Sequence, residues 1–161
     1  MLTLSGTLAL RGRVRLITRS AADGRLLADS GWLPNTICNP AANAIAAWLT
    51  GTGNIGYQPV PFPSYAELGT GSGTTAPTDT ALFQPVASTN VKAQILGPNA
   101  TTPSTAQWIF VWGPQYGPLN ATEIGLFDGN GLMFAHIAGL TIDLATTTST
   151  SLQWAWDVTL N

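Results

Sequence analysis

The sequence predicts a mainly β protein: an antiparallel β-sandwich or jelly roll of about eight strands with one short helix over about 39–50. Three observations lead there. Apolar and polar residues alternate with a period of two along several segments, the signature of half-buried strands. Clusters of Gly, Pro, Asn and Asp punctuate the chain at regular intervals, which fits antiparallel connections and not a βαβ array. The dominant polar residue is Thr, with 22 copies. Thr is β-branched and polar, so it suits the solvent face of a strand.

The first strand lies within 7–19. Leu8, Leu10, Val14 and Leu16 fall on one face, and Arg11, Arg13, Arg15 and Arg19 on the other. Ala22-Asp23-Gly24 forms a turn, because Asp-Gly readily adopts positive φ. Arg25 to Ala28 return as a second strand. The result is a basic N-terminal hairpin over about 7–30. Asn39-Pro40 opens the helix, with Asn39 as N-cap and Pro40 in the first turn. Ala41, Ala44, Ile45, Trp48 and Leu49 form its apolar stripe, and Gly51 and Gly53 stop it.

A Pro/Gly-rich loop follows over about 52–63. Tyr65 to Gly69 reads as a short strand, and Thr70 to Asp79 as a Gly/Thr/Pro connection. Val86 to Leu96 reads as one long strand. Gln107 to Trp112 is apolar on both faces, so this strand lies inside a sandwich or against a neighbour. Thr122–Phe127 and Leu132–Ile137 flank Asp128-Gly129-Asn130-Gly131 as a second hairpin. Leu152, Trp154, Trp156, Val158 and Leu160 alternate with polar or small residues in the last strand, which builds the C-terminus into a sheet. The whole of 1–161 is read as a single domain.

Charge is scarce. Asp, Glu, Lys and Arg make up 9% of the chain, against a usual share of about 25%. A folded chain of this mass exposes roughly 7,600 Å². So thin a distribution of charge fits a surface that is covered by neighbours better than one kept dispersed in water. The net charge is −2, which gives no call for nucleic acid or a membrane surface. Cys38 is the only cysteine, so an internal disulfide and a multi-cysteine zinc site are both excluded, and a small buried residue is expected there. The first ten residues lack the basic and unbroken apolar regions of a signal peptide, and no apolar run reaches the length of a membrane span.

Groups able to carry chemistry are few. His136, the only histidine, sits in a strand and reads as a hydrogen-bonded structural residue, since no nucleophile-elbow motif accompanies it. Glu67, Asp79, Glu123 and Asp128 are far apart in sequence, and a pair converging as glycosidase carboxylates do is the enzymatic alternative. Gly69-Thr70-Gly71-Ser72-Gly73 is no phosphate loop: no Lys follows, and Pro77 blocks an immediate helix. It reads as a flexible loop with several residues at positive φ. The Asp128–Gly131 turn offers too few oxygens for calcium. No catalytic, cofactor-binding or metal-ligating residue is assigned.

The basic stripe is the one electrostatic feature. Arg11, Arg13, Arg15, Arg19 and Arg25 are candidate contacts: outward charge on an edge strand averts wrong pairing and docks on an acidic neighbour. Trp32, Tyr57 and Phe62 are further interface candidates. Trp48, Trp108, Trp112, Trp154 and Trp156 are expected in the core, while an exposed Trp32 leaves a carbohydrate-binding role as an alternative.

Three segments together resemble a known group. Asn35-Thr36-Ile37 leads into the alanine-rich helix. Tyr65-Ala66-Glu67-Leu68-Gly69-Thr70-Gly71-Ser72-Gly73-Thr74-Thr75-Ala76-Pro77 runs on to Asp79-Thr80-Ala81-Leu82. Thr122-Glu123-Ile124-Gly125-Leu126-Phe127-Asp128 precedes a Thr-rich last strand. This arrangement, covering most of 11–161, resembles small β-sandwich virion structural proteins of tailed bacteriophages; the loop from Gly53 to Pro63 departs from that pattern. The resemblance implies a non-enzymatic subunit without cofactors. The expected role is a capsid decoration or cement protein, with a tail, baseplate or tail-fibre accessory protein as alternative. The expected partners are other copies of itself, in a homo-oligomer such as a trimer, and the major capsid protein or tail proteins. The expected location is the virion, assembled in the host cytoplasm.

Overall fold

A computed structural model describes residues 8–49, 63–95 and 104–160. Within them lie β1 (Leu8–Ser20), β2 (Leu26–Asp29), β3 (Leu33–Pro34), β4 (Thr36–Ile37), α1 (Asn39–Leu49), β5 (Tyr65–Gly69) and β6 (Val91–Lys92). Then come β7 (Gln94–Ile95), β8 (Thr105–Trp112), β9 (Leu119–Phe127), β10 (Met133–Leu144) and β11 (Thr148–Leu160). They form two antiparallel sheets with the core between them, the expected β-sandwich. The first sheet has the order β2-β1-β11-β8-β7, with β3 also on β1, and the second has the order β4-β10-β9-β5-β6. The pairings are nested: β1 with β11, β4 with β10, β5 with β9, β7 with β8. That is the order produced by rolling up one long hairpin.

Both corners of the sandwich are turned by a strand that changes sheets, a known way of joining two layers. At the first corner β3 pairs with β1, and β4, one residue later, pairs with β10. The residue between them, Asn35, donates its backbone N–H to the Gly12 carbonyl at 3.2 Å. A Cβ on Gly12 would lie 2.3 Å from the Asn35 side-chain oxygen, so the Asn35 side chain sits where it does because Gly12 has no Cβ. At the second corner β6 pairs with β5 and β7 with β8, and Ala93 between them donates its N–H to the Ser64 carbonyl at 2.8 Å. The long strand expected over Val86–Leu96 is therefore two short pieces. An unbroken strand cannot belong to both layers.

The period-two pattern places the core as read. Val14 and Leu16 of β1, Trp108, Phe110 and Trp112 of β8, and Leu152, Trp154 and Trp156 of β11 point inward. They meet Leu68, Ile124, Leu126, Phe134, Ile142 and Leu144 of the second sheet. Trp108 and Trp156 pack edge to face with ring centres 5.3 Å apart. The indole N–H of Trp112 donates to the Thr89 carbonyl at 2.7 Å, which satisfies a buried donor and ties the second corner to β8. Four of the expected core tryptophans are thus in place, while the Trp48 side chain lies outside the described residues. The turn glycines behave as read at both hairpins, with φ of 70° at Gly24 and 85° at Gly131.

Two local expectations need correction. The helix is capped one residue earlier than read: the Cys38 carbonyl receives the N–H groups of Ala41 and Ala42, and Asn39 is already helical. The Asn39 N–H instead donates to the Pro77 carbonyl at 2.7 Å. β1 is also no edge strand, because β11 flanks one side and β2 and β3 share the other.

Candidate functional site

The first candidate is the basic hairpin. Its arginines do project together from the outer side of β1, but most are engaged within the chain. Arg13 pairs with Asp157, with Nε 2.8 Å from Oδ2, and its guanidinium lies 4.4 Å over the Trp32 ring. Arg15 forms a two-armed pair with Asp29, whose carboxyl is held down to about 2 by those bonds and by the Gly31 amide. Arg19 donates to the Gly24 carbonyl at 3.1 Å. The Arg11 and Arg25 side chains have no partner among the described residues. The face is therefore stapled internally, and the charge it offers outward is concentrated at those two residues. Trp32 is 38% exposed, and the guanidinium of Arg13 lies over one face of its ring. Tyr57 and Phe62, and with them 52–62 of the Pro/Gly-rich loop, lie outside the described residues.

The second candidate was visible in the sequence only as scattered residues. Cross-strand partners share a face. The registers His136↔Thr36, His136↔Gly125, Glu67↔Gly125 and Gly69↔Glu123 put these side chains on the outer face of the second sheet, away from the core. The segment 70–85 lies over that face and is fixed to it by hydrogen bonds. Glu123, fully buried, is the hub. Its Oε1 accepts the N–H of Gly71 at 2.9 Å and of Gln84 at 2.7 Å; its Oε2 accepts the N–H of Phe83 at 2.9 Å and faces His136 Nε2 at 2.9 Å. On the other side of the ring, His136 Nδ1 is 2.7 Å from Asp79 Oδ2, which also accepts the Ala76 N–H at 2.9 Å. The Phe83 ring packs on the imidazole with centres 4.8 Å apart. The Thr122 hydroxyl donates to the Gly71 carbonyl at 2.7 Å, and the hydroxyls of Thr36 and Thr75 meet at 2.6 Å.

Electrostatics follow from these contacts. Burial pushes the Glu123 carboxyl up, but the amides of Gln84 and Phe83, the His136 ring and the Gly71 amide outweigh it and hold the group below its ordinary value. Glu67, on the same face without such donors, is pushed up by burial. Cys38 lies under the segment beside Leu82, Phe127 and Met133. Burial, with a contribution from the Asp79 charge, drives its thiol up to about 12, so it is a thiol and not a reactive thiolate. Asp128 is apart from the cluster: its Oδ1 accepts the N–H groups of Asn130 and Leu132, both at 2.8 Å, and so closes its own hairpin turn.

The glycines of the segment carry a correction. None of Gly69, Gly71 and Gly73 has positive φ. They are glycines because of close approach. A Cβ on Gly69 would lie 2.4 Å from Glu123 Oε1, one on Gly71 2.4 Å from the Phe83 Cβ, and one on Gly73 2.8 Å from the Phe83 ring. The loop reads as flexible by composition, yet its glycines let the backbone descend onto a carboxylate.

The acids Asp79 and Glu123 thus do converge, but on the imidazole and beneath a covering segment, whereas Glu67 and Asp128 take no part. This geometry suits a structural clamp: three acceptor positions of Glu123 are filled by backbone N–H groups of the chain itself and the fourth faces the His136 ring. Among the described residues no group of His, Cys, Asp and Glu is arranged to hold a metal ion, and no helix is long and apolar enough to cross a membrane. The stretches 65–77, 79–82 and 122–128 meet here: the first supplies Gly71, the second Asp79 and Leu82, and the third Glu123. No protein-family model, no curated protein and no solved structure matches the chain.

Proposed function

We propose that this chain is a non-enzymatic structural subunit of a tailed-bacteriophage virion, a capsid decoration or cement protein that works as a homo-oligomer. The observation that carries the reading is the surface. It is poor in charge, yet it leaves Trp32, Ile95 and Val111 at 38%, 65% and 43% exposure, together with exposed Leu26 and Leu27. Large apolar groups on a weakly charged skin are what subunit contacts cover. Val111 belongs to the strand that is apolar on both faces, whose outer face calls for a neighbour. A sandwich closed at both corners suits a part that must persist outside a cell, where kinetic resistance to unfolding matters most.

The partners in this reading are further copies of the chain and the major capsid protein. A tail or baseplate protein replaces the capsid protein if the subunit sits there. The test is size-exclusion chromatography with light scattering over a range of concentrations, followed by addition to particles lacking the protein and imaging of what binds. A defined oligomer that decorates the particle supports the proposal, and density on the tail instead selects the accessory role. A strict monomer at high concentration that binds no particle overturns both.

A further inference from the structure

We propose that Asp79, His136 and Glu123 form an acid-released clamp, which holds the 70–85 segment on the second sheet and frees it when Glu123 takes up a proton. The argument is an inventory of donors and acceptors. An ionised carboxylate accepts at about four positions and donates at none. At Glu123 three of these positions take the amides of Gly71, Phe83 and Gln84, and the fourth faces His136 Nε2. The ring nitrogen facing Glu123 therefore carries hydrogen. A proton added to Glu123 while His136 Nε2 keeps its hydrogen has no acceptor to reach and meets an N–H head on, so one of the four contacts breaks, and three of the four are ties to the segment. Asp79, whose side chain is 14% exposed, is the member that touches water, and its single engaged oxygen already serves both Ala76 and His136.

The segment's other ties to the rest of the chain are mostly polar: the Pro77 carbonyl accepts the Asn39 N–H, the Gly71 carbonyl accepts the Thr122 hydroxyl, the Thr75 hydroxyl meets that of Thr36, and the Phe83 ring packs on His136. Leu82 is the one large apolar side chain it buries among the described residues. The tryptophan core lies on the opposite face of the sheet, so release of the segment does not require the sandwich to unfold. Local opening of this kind, below the cost of global unfolding, is common where a region has few apolar contacts. The titratable groups facing the clamp do not oppose the change. Glu67, on β5, is pushed up by burial and so turns neutral before an ordinary carboxyl does, while Cys38, between β4 and α1, stays a neutral thiol throughout. Release removes Leu82 from the cluster and opens the side of Cys38 and Met133 that it covers, while Phe127 stays under the stacked Tyr65 ring of β5.

Cys38 supplies the readout. The full-length protein is mixed with 4,4′-dithiodipyridine, which reacts with thiols in acid, at pH 7, 5 and 3.5, while tryptophan emission reports the core. Labelling at least tenfold faster at pH 3.5 than at pH 7, with the emission unchanged, is expected. Glu123→Gln and Asp79→Asn are expected to label fast already at pH 7 and to lose most of the pH dependence. Asp79→Asn, at a partly exposed position, keeps the test alive if Glu123→Gln does not fold. Labelling that rises only together with loss of the native emission overturns the proposal. So does a folded variant that stays protected and keeps the wild-type pH response.

Discussion

Gly71 and Glu123, 52 residues apart in sequence, are joined by an N–H···O bond of 2.9 Å, with no space between them for a side chain. A methyl group on Gly71 would lie 2.5 Å from Glu123 Oε1 and 2.4 Å from the Phe83 Cβ. Gly71→Ala is therefore expected to cost about 1–3 kcal/mol through overpacking. Gly129→Ala is the control: its Cβ meets only the Ser64 hydroxyl, at an ordinary 3.7 Å, so a change within about 0.5 kcal/mol is expected. Urea midpoints of the two variants check the contrast, and equal midpoints would refute the close-approach account of the glycine.

Glu123 also sets a pH dependence. Its carboxyl is held below its ordinary value of 4.5 in the folded protein. A group lowered on folding contributes stability above its unfolded value and loses it as pH falls through the folded one. Stability is thus expected to decline below about pH 4.5, and Glu123→Gln to flatten that limb. At pH 7 the same change replaces an oxygen acceptor with an amide donor facing N–H groups, at a cost of about 1.5–3 kcal/mol. Urea titrations from pH 7 to 3 measure both effects. An unchanged acid limb in the variant would assign the decline to other carboxylates.

The arginines divide into two functional sets. Arg11→Ser with Arg25→Ser is expected to leave stability within about 0.5 kcal/mol and to weaken incorporation into particles. Arg13→Ser removes the Asp157 pair and the contact with Trp32, and is expected to cost about 0.5–1.5 kcal/mol. Thermal melts and particle occupancy separate the two. Normal occupancy with the Arg11/Arg25 variant would remove those residues from the contact.

Trp112 tests the second corner. Trp112→Phe keeps most of the apolar volume but strands the Thr89 carbonyl, which now receives the indole N–H at 2.7 Å. A loss of about 1–3 kcal/mol is expected. Hydrogen exchange should localise the loosening to the chain around Thr89 and β6, and a uniform change across both sheets would contradict the assignment.

Much of the fold was legible because alternation is a local signal. The inward set Val14 and Leu16, the outward arginines, and the tryptophans of β8 and β11 all follow from period two. The break at Ala93 was not legible, because an extended strand and one that changes sheets look alike in sequence; only the identity of the neighbours differs. The candidate site was half legible. Glu123, Asp79 and His136 stood out as ionisable residues in a chain with few of them, and the Gly-rich stretch stood out by composition. Their meeting depends on strand register across β4, β10, β9 and β5, which is a long-range property. The glycines misled for a related reason: Gly at positive φ and Gly under close approach are the same letter, and only a partner from a distant strand tells them apart.

The ladder between β1 and β11 has a mechanical consequence. It runs through thirteen pairs without interruption, from Leu8↔Leu160 to Ser20↔Thr148. Leu8 and Leu160 are thus neighbours at one end of it. Tension applied across those two residues loads one rung at a time and peels the strands apart at low force. Tension between Ser20 and Leu160 instead shears every rung together. Load on this ladder is therefore best borne along the strands, between opposite ends such as Ser20 and Leu160, and an attachment that pulls Leu8 away from Leu160 strains it along its weakest direction.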